Sequence, residues 1–342
     1  MIEQKNREIR LKRRPEGLPK PSDFELVETP IPTPGPGQVL VRNIYMSVDP
    51  YMRGRMTDRK SYVPPFQIGE TMSGGAVGQV VESNGHPKFH KGDYVSSIEG
   101  WREWFVSGGS GMMKIDPELA PIQAYLGTFG MPGLSAYAGL LRVGELKEGD
   151  RVFVSAASGA VGSIVCQIAK NKGCTVVGSA GSDDKCAWLK DVARADDAIN
   201  YKTCGDLTQA VRKAMPEGID VYFENVGGAH LDAALANMRL FGRIALCGMI
   251  DQYNATALPE GPHNFVTVIG LRLTLRGFIV TDYADMRPDF LRDMGAWAKE
   301  GKLKWHETIL DGIERAPEAF IGLFTGANFG KMLVRLGPDK EV

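Results

Sequence analysis

The sequence predicts an α/β protein in which a doubly wound parallel sheet is joined to a second, mainly β domain. Two observations carry this prediction. The first 125 residues contain short apolar segments separated by Pro and Gly, a pattern typical of many short strands and of a barrel-like domain. From about Ala124 onwards, short apolar segments alternate with segments of helical periodicity, which is the order of repeated βα units.

In the N-terminal part, the predicted strands alternate with turns. The segment 30–37 (PIPTPGPG) is stiff because of its prolines and separates the first two strands. Strands are predicted at 24–28, 38–44, 74–82 and 92–96. A last strand at 330–336 returns to this domain. We therefore predict a mainly β domain formed by residues 1–125 and 312–342, and a parallel-sheet domain at 126–311.

The second half of the chain follows a strict alternation of strand and helix. The segment 151–157 (RVFVSAA) is apolar without polar alternation, as in a parallel strand that is covered on both faces. Further strands are predicted at 175–179, 198–201, 220–226, 243–247 and 272–280. Helices are predicted at 164–171, 183–194, 206–215, 230–238 and 287–299, and Ser182 is the expected N-cap of the second helix.

Charge and cysteine content narrow the function classes. With 40 basic and 41 acidic residues the net charge is −1, so bulk charge does not favour nucleic-acid binding. The five scattered cysteines lack CxxC spacing, which favours a reducing compartment over a disulfide framework. The N-terminal residues lack an apolar signal segment and no apolar run has membrane-spanning length, so we expect a cytoplasmic protein without membrane contact.

The strongest motif is the loop at 157–162 (ASGAVG), which follows a predicted strand and precedes a helix. It matches a dinucleotide fingerprint with Ala157 in the first glycine position. Gly159 would allow the backbone to approach a pyrophosphate, and Gly162 would allow the helix to pack closely on the sheet. The alternative interpretation is an ordinary strand–helix turn, but the repeated βα context favours nucleotide binding.

The end of the next strand indicates which nucleotide is bound. An NAD enzyme usually carries an acidic residue about 20 residues after the motif, whereas this strand ends in Ser179–Ser182 with Gly181 in place of an acid. Lys185 follows within one helical turn, which favours the 2′-phosphate of NADP(H). Lys185 is equally well explained as a solvated helix lysine, and Tyr201 either packs near the same phosphate or closes the core.

Five segments recur together, in this order, in one known family. They are 48–53 (VDPYMR), 127–137 (GTFGMPGLSAY), the loop at 157–162, 224–228 (ENVGG) and 247–254 (CGMIDQYN). The chain resembles the zinc-independent reductases of the medium-chain dehydrogenase/reductase family, a group that includes prostaglandin reductases, plant alkenal double-bond reductases and bacterial curcumin reductases. The resemblance covers nearly the whole chain.

This resemblance implies a GroES-like catalytic domain, a Rossmann domain and a cleft between them. It also implies NADPH-dependent reduction of a C=C bond conjugated to a carbonyl, with a small enone or alkenal as substrate. Hydride would go to the β-carbon, and hydrogen-bond donors would stabilise the enolate oxygen without a metal. A homodimer through the edge of the Rossmann sheet is a further family expectation, with the segment 272–280 as the candidate edge.

The resemblance also transfers cofactor-binding roles, position by position. Gly159–Gly162 would hold the pyrophosphate, and Lys185 and Tyr201 the 2′-phosphate. The complete predicted cofactor set is Ala157, Gly159, Ala160, Val161, Gly162, Gly181, Lys185, Tyr201, Asn225, Cys247, Gly248, Ile250, Tyr253, Phe278, Ile279, Val280 and Asn328.

Tyr253 is the preferred phenol donor or proton relay, and Tyr51 and Tyr62 are weaker catalytic candidates from the N-terminal domain. For Tyr51, ordinary packing is an equally good interpretation. The predicted substrate-lining residues are Tyr51, Met131 and Tyr283. Some mammalian relatives carry a tyrosine where this chain has Gly270, so no role of that tyrosine is transferred.

Zinc alcohol dehydrogenases share this architecture but place a catalytic Cys and a His–Glu pair in the N-terminal domain. Here the matching segment 68–72 (IGETM) has no His, and no cysteine precedes Cys166, so we predict no metal. His86 and His90 are interpreted as surface histidines, whereas His230, His263 and His306 are dispersed without an evident partner.

Cys247 is interpreted as a small wall residue beside the cofactor rather than a reactive thiol. Gly108–Gly111 has the wrong spacing for a hydrolase elbow. Two other functions stay open: a quinone reductase or hydroxy-lipid dehydrogenase, and a cofactor-binding protein without turnover.

Overall fold

The structure is a computed structural model that describes residues 5–338. The strands in chain order are β1 (Lys5–Leu11), β2 (Phe24–Pro30), β3 (Val39–Ser47), β4 (Ala76–Ser83), β5 (Tyr94–Ser97), β6 (Trp104–Ser107), β7 (Met113–Lys114), β8 (Arg151–Val154), β9 (Thr175–Ala180), β10 (Asp197–Asn200), β11 (Ile219–Glu224), β12 (Met238–Leu246), β13 (Thr274–Gly277), β14 (Glu307–Asp311) and β15 (Lys331–Arg335). The helices are α1 (Met52–Arg55), α2 (Met131–Ala138), α3 (Gly162–Asn171), α4 (Asp183–Asp191), α5 (Leu207–Ala214), α6 (Gly228–Leu235), α7 (Thr267–Leu271), α8 (Arg287–Lys299) and α9 (Ala316–Gly322).

The chain divides into two compact units. The first comprises Met1–Leu126 and Glu307–Val342, and the second comprises Gly127–His306. The chain returns to the first unit before residue 312, the start of the predicted C-terminal segment. It does so because β14, which was not predicted from the sequence, pairs in parallel with β15.

The first unit is a mainly β structure. Its larger sheet has the order β14-β15-β3-β4-β5-β7, β6 pairs with β3, and β1 and β2 form a separate antiparallel pair. β1 was missed by the sequence analysis. The core beneath these strands contains Trp101, whose ring stacks on Phe24 with 6.1 Å between centroids. The predicted strands at 24–28, 38–44, 74–82, 92–96 and 330–336 all lie within or across observed strands.

The second unit is built around a parallel sheet with the order β10-β9-β8-β11-β12-β13. β8, near the middle, is the first strand in sequence, so the chain proceeds outwards in one direction and then in the other, as in a doubly wound fold. Buried side chains such as Phe153, Tyr222 and Leu235 fill the space between the sheet and the helices. The predicted fold class is confirmed.

Several element boundaries differ from the prediction. The helix predicted at 230–238 is α6, which starts at Gly228 and ends at Leu235, and β12 already begins at Met238. β12 is longer than the predicted 243–247 because its pairing with β11 contains an irregularity, near which Phe241 has a φ of 60°. The strand predicted at 272–280 is only β13, so Phe278–Val280 lie beyond it. The helix predicted at 287–299 coincides with α8.

Within residues 5–338, no helix is both long enough and apolar enough to cross a membrane.

Candidate dinucleotide site

The loop that joins β8 to α3 has the geometry that the fingerprint requires. A Cβ atom at Gly162 would lie 2.4 Å from the carbonyl oxygen of Ala156, so only glycine allows α3 to begin this close to the loop. The Gly159 N–H donates to the same carbonyl at 2.9 Å, and the Ala157 N–H donates to Ser179 of β9 at 2.8 Å. Ala160 and Val161 complete the turn. The loop therefore lies at the carboxyl end of the parallel strands and at a helix N-terminus, where such sheets bind dinucleotides.

At the end of β9, Gly181 faces two side chains that come from the end of β10. A Cβ atom at Gly181 would lie 2.9 Å from the Tyr201 hydroxyl and 3.3 Å from Cε of Lys202. Tyr201 is the residue after β10 rather than its last residue. Lys202 was not selected from the sequence. Two signals in the sequence could have identified it: its positive charge and its position directly after a predicted strand.

Lys185 lies in the first turn of α4, whose predicted N-cap is observed: the Ser182 hydroxyl accepts the Lys185 N–H at 3.4 Å. Burial lowers the pKa of the Lys185 ammonium, and the charge of Lys202 lowers it further. Burial also raises the pKa of the Tyr201 phenol. A glycine bordered by a phenol and the Lys202 side chain, with Lys185 near enough to Lys202 for their charges to interact, is chemically suited to a phosphate group.

His230 packs against Tyr201, the residue that follows β10. Its ring lies edge-on against Tyr201, with 5.0 Å between centroids, and its side chain is buried. Its Nε2 atom has no hydrogen-bond partner in the described part of the chain. Burial lowers the pKa of His230 from 6.5 to about 4, so the ring is neutral at physiological pH.

The carboxyl end of β11 fixes Asn225. Its side-chain amide donates to the Ser155 carbonyl at 2.8 Å, and its backbone N–H donates to the Ser155 hydroxyl at 2.9 Å. That hydroxyl donates in turn to the fully buried Glu224 carboxyl at 2.9 Å, which also accepts the Val226 N–H at 2.6 Å. Burial raises the pKa of Glu224. Sequence reasoning missed Ser155 and Glu224 because neither is part of the glycine motif.

The segment after β12 is hydrogen-bonded to the same loop. The N–H groups of Cys247 and Gly248 donate to the Glu224 carbonyl at 3.0 and 3.1 Å, and the Ile250 N–H donates to the Asn225 carbonyl at 3.2 Å. Burial raises the pKa of the Cys247 thiol to about 12, so the thiol is protonated at neutral pH and is a poor nucleophile. This favours the interpretation of Cys247 as a wall residue.

Tyr253 lies beside this segment, and its hydroxyl accepts the Met249 N–H at 3.2 Å. Burial raises the pKa of the Tyr253 phenol, which keeps it protonated. The structure therefore brings together five predicted residues: Asn225, Cys247, Gly248, Ile250 and Tyr253.

The residues after β13 are placed by aromatic packing. The Phe278 ring lies edge-on to the buried Phe223, with 6.3 Å between centroids, and to Tyr283, with 6.0 Å. Its side chain therefore packs within the unit. Ile279 and Val280 follow, at the start of the short helix Val280–Met286 that contains Tyr283. Met131 is the first residue of α2 and is 40% exposed.

The remaining predicted residues belong to the first unit. Tyr51 directly precedes α1, and burial together with the nearby Asp49 raises the pKa of its phenol. Tyr62 is 58% exposed. Asn328 donates through its side-chain amide to the Gly330 carbonyl at 2.8 Å.

A buried ion pair connects the Tyr51 and Asn328 segments of the first unit. The Lys331 ammonium donates to the Asp49 carboxylate at 2.9 Å and to the Val48 carbonyl at 2.8 Å. Both side chains are less than 10% exposed. Neither residue was selected from the sequence, since their separation of 282 positions hides the contact.

The histidines are only partly as predicted. His86 is buried, which corrects its interpretation as a surface residue: its Nδ1 accepts the N–H groups of Lys88 and Phe89 at 3.0 and 3.1 Å. His263, expected to lack a partner, lies 2.8 Å from the Asp232 carboxylate. Among residues 5–338, no group of three His, Cys, Asp or Glu side chains is arranged to hold a metal ion.

A doubly wound sheet with a dinucleotide loop, on a chain that also forms a mainly β unit, defines the class of nucleotide-dependent dehydrogenases and reductases. Comparison with known families agrees. Residues 7–115 match the model described as the N-terminal domain of oxidoreductase, and residues 160–295 match the model described as zinc-binding dehydrogenase. The chain belongs to the medium-chain dehydrogenase/reductase family, which confirms the resemblance drawn from its motifs.

Individual relatives are similar along their whole length. The chain is 46% identical to an NADPH-dependent curcumin reductase of Escherichia coli, over 98% of both chains. It is also 46% identical to an NADP-dependent 2-alkenal reductase of Nicotiana tabacum, again over 98% of both. The crystal structure of CurA from Vibrio vulnificus in complex with NADPH superposes with a TM-score of 0.92 at 43% identity, covering 97% of this chain and 99% of that one.

Proposed function

We propose that this protein is an NADP-dependent oxidoreductase that uses NADPH to reduce the C=C bond of α,β-unsaturated ketones and aldehydes. The observation that carries the proposal is the identity of 46%, over 98% of both chains, to relatives named for curcumin and alkenal reduction. The cradle at Gly181, with its lysines and phenol, supports the choice of NADP(H) because a 2′-phosphate needs cations and hydrogen-bond donors.

In this proposal, the fingerprint loop holds the pyrophosphate, and Lys185 and Tyr201 hold the 2′-phosphate. Asn225, which is held by Ser155, would contact the nicotinamide half together with the backbone of Cys247–Ile250. Phe278–Val280 and Asn328 are the further candidates for contact with the nicotinamide.

When bound, NADPH supplies a hydride to the β-carbon of the substrate. Negative charge then develops on the carbonyl oxygen, and a donor directed at that oxygen lowers the barrier. Tyr253 is the preferred donor because its oxygen accepts the Met249 N–H, which leaves its own proton for another acceptor. The phenol is protonated at neutral pH and burial raises its pKa further, so it can donate a hydrogen bond to the oxygen or pass a proton towards the α-carbon. Tyr51, whose pKa is raised, and the exposed Tyr62 are the weaker candidates.

A substrate panel tests the reaction. The protein is incubated with NADPH and an enone, an alkenal, a quinone or a saturated ketone, while absorbance at 340 nm and the products are followed. We expect the enone and the alkenal to yield saturated carbonyl compounds. Consumption of the quinone without turnover of either conjugated alkene would contradict the proposal, and so would tight NADPH binding without any turnover.

A hydroxyl deletion tests the donor. Tyr253→Phe is expected to lower kcat about 100-fold, within the range for a general acid, with a small effect on NADPH binding. Tyr125→Phe is the matched control, since that hydroxyl bonds to the backbone of Asp116 in the first unit, donating to its carbonyl and accepting its N–H. An unchanged kcat for Tyr253→Phe would remove this residue from the mechanism.

We also propose a homodimer formed through the second unit. β13 is an edge strand, and large apolar side chains near it are exposed, including Phe241 at 63%, Val266 at 74% and Ile269 at 78%. A second copy of this chain would cover them. Light scattering is expected to give the mass of a dimer, and Ile269→Asp is expected to give monomers. A monomeric parent protein would contradict this proposal.

We propose that the protein works in the cytoplasm. All five cysteines are free thiols, as a reducing compartment would leave them. Fractionation of cells that express the chain tests this, and recovery in an oxidising compartment would contradict it.

A further inference from the structure

We propose that Lys202 supplies the second cation of the 2′-phosphate site and is a determinant of the preference for NADPH over NADH. This inference rests on the proposed use of NADP(H). It goes beyond the residues transferred from the family resemblance, which assigned this phosphate to Lys185 and Tyr201 alone.

Lys202 lies beside Gly181, at the end of β9. The space in front of Gly181 is bordered by the Tyr201 hydroxyl and by the Lys202 side chain, at 2.9 and 3.3 Å from where a Cβ atom would lie. Gly181 directly follows β9, the second strand of the dinucleotide fold. The ribose of the adenosine half contacts the end of this strand in such folds, so a 2′-substituent would point towards these two side chains.

The charges of Lys185 and Lys202 also favour a phosphate between them. Burial is the main cause of the lowered pKa of Lys185, and the charge of Lys202 lowers it further because the two ammonium groups repel each other. Lys202 uses its backbone N–H in a hydrogen bond to Asn200, but its ammonium makes no hydrogen bond or ion pair with any residue from 5 to 338. A doubly charged phosphate between the two lysines would replace this repulsion with two attractions.

Asn200 holds together the two turns that carry Lys185 and Lys202. The Asn200 side chain donates to the Asp183 carboxylate at 2.7 Å and accepts the Lys202 N–H at 3.1 Å. It thereby connects the first turn of α4, which carries Lys185, to the turn that carries Lys202. The Asp183 carboxylate accepts this hydrogen bond from Asn200 and is therefore already paired. Asp184 lies in the same first turn of α4, and Asp251 acts on the Tyr201 phenol.

Ligand binding tests the proposal without requiring turnover. The dissociation constants of 2′,5′-ADP and 5′-AMP are measured by calorimetry for the parent protein, Lys202→Ala and Lys202→Arg. Lys202→Ala is expected to weaken 2′,5′-ADP about 5- to 20-fold, as for the loss of one charge-assisted contact at a partly exposed site. The affinity for 5′-AMP should change less than about 2-fold, and Lys202→Arg should retain most of the affinity for 2′,5′-ADP.

Lys190→Ala is the matched control, because it removes one exposed lysine from the far end of α4. It should change neither affinity. In kinetics, Lys202→Ala should raise the KM for NADPH and leave the KM for NADH and kcat unchanged.

An unchanged affinity of Lys202→Ala for 2′,5′-ADP would overturn the proposal. An equal loss for both nucleotides would also overturn it, since a purely structural role would weaken both. The proposed enone reduction is tested separately. If the protein binds 2′,5′-ADP through Lys202 but reduces no enone, only the proposed reaction is refuted. A parent protein that does not distinguish 2′,5′-ADP from 5′-AMP would refute the NADP(H) assignment and this inference together.

Discussion

His230 should make the second unit sensitive to mild acid. Its side chain is buried and its pKa is lowered from 6.5 to about 4, so the folded state keeps the ring neutral. The unfolded chain takes up a proton as the pH falls below about 6.5, whereas the folded chain does not. The stability due to the neutral ring is therefore complete above the unfolded pKa and is lost progressively as the pH falls from 6.5 towards about 4.

The magnitude follows from this difference in pKa. One pKa unit corresponds to about 1.4 kcal/mol, so the full effect is about 3 kcal/mol, and about 2 kcal/mol is lost between pH 7 and pH 5. Urea unfolding of the second unit at these two pH values measures the loss. His230→Phe removes the titration while keeping an aromatic contact with Tyr201, so the variant should lose about 2 kcal/mol less than the parent over the same interval.

An exposed histidine provides the control. The hydrogen bond to Asp232 raises the pKa of His263, so His263 stabilises the folded state in acid and loses this effect as the pH rises through its folded value. His263→Gln should therefore make the protein more sensitive to acid, opposite to His230→Phe. If the parent and His230→Phe lose the same free energy of unfolding between pH 7 and pH 5, the reasoning about a neutral buried ring is refuted.

Three further predictions concern packing and chemistry. Gly162→Ala should weaken the binding of NADPH and NADH about equally, because its Cβ atom would collide with the loop under the pyrophosphate that both cofactors share. Fluorescence titration measures both affinities, and Gly270→Ala, with open space around it, is the control. A selective loss of NADPH binding would contradict this prediction. Lys331→Met should lower the free energy of unfolding of the first unit by about 3–5 kcal/mol, since it leaves a buried carboxylate unpaired, whereas Lys5→Ala in an exposed pair should cost less than about 1 kcal/mol. Similar urea midpoints for these two variants would be the contrary result. Cys247 is partly exposed but should resist iodoacetamide at pH 7, because desolvation of the thiol raises its pKa to about 12; rapid labelling detected by mass spectrometry would argue against a protonated wall residue.

The architecture of the second unit was predictable because its information is local. Buried parallel strands appear as short apolar runs, and the helices between them have helical periodicity, so β8, α3 and α8 were located within a few residues. The missed strands β1 and β14 are different. Both contain several charged or polar residues, so neither appears as an apolar run, and only the pairing with β2 and β15 identifies them as strands.

The candidate site divides in the same way. The glycine loop and the Ser182 cap follow from a few consecutive residues, and the structure gives both the geometry expected of them. Glu224 and Ser155 were missed since their roles depend on a contact between two strands that are 69 positions apart. The burial of His86 and His230 was missed for a related reason: the burial of a histidine depends on which elements pack over it.

The end of β9 shows why a missing acid was a useful signal. A side chain at position 181 would crowd Tyr201, because the Tyr201 hydroxyl would lie 2.9 Å from its first carbon. An acidic residue there would have to displace Tyr201 and would place its charge beside Lys185 and Lys202. In the proposed site, two turns hold the 2′-phosphate, one on α4 and one after β10, rather than the strand-end residue alone. Reversal of that preference should require changes in both turns as well as at position 181.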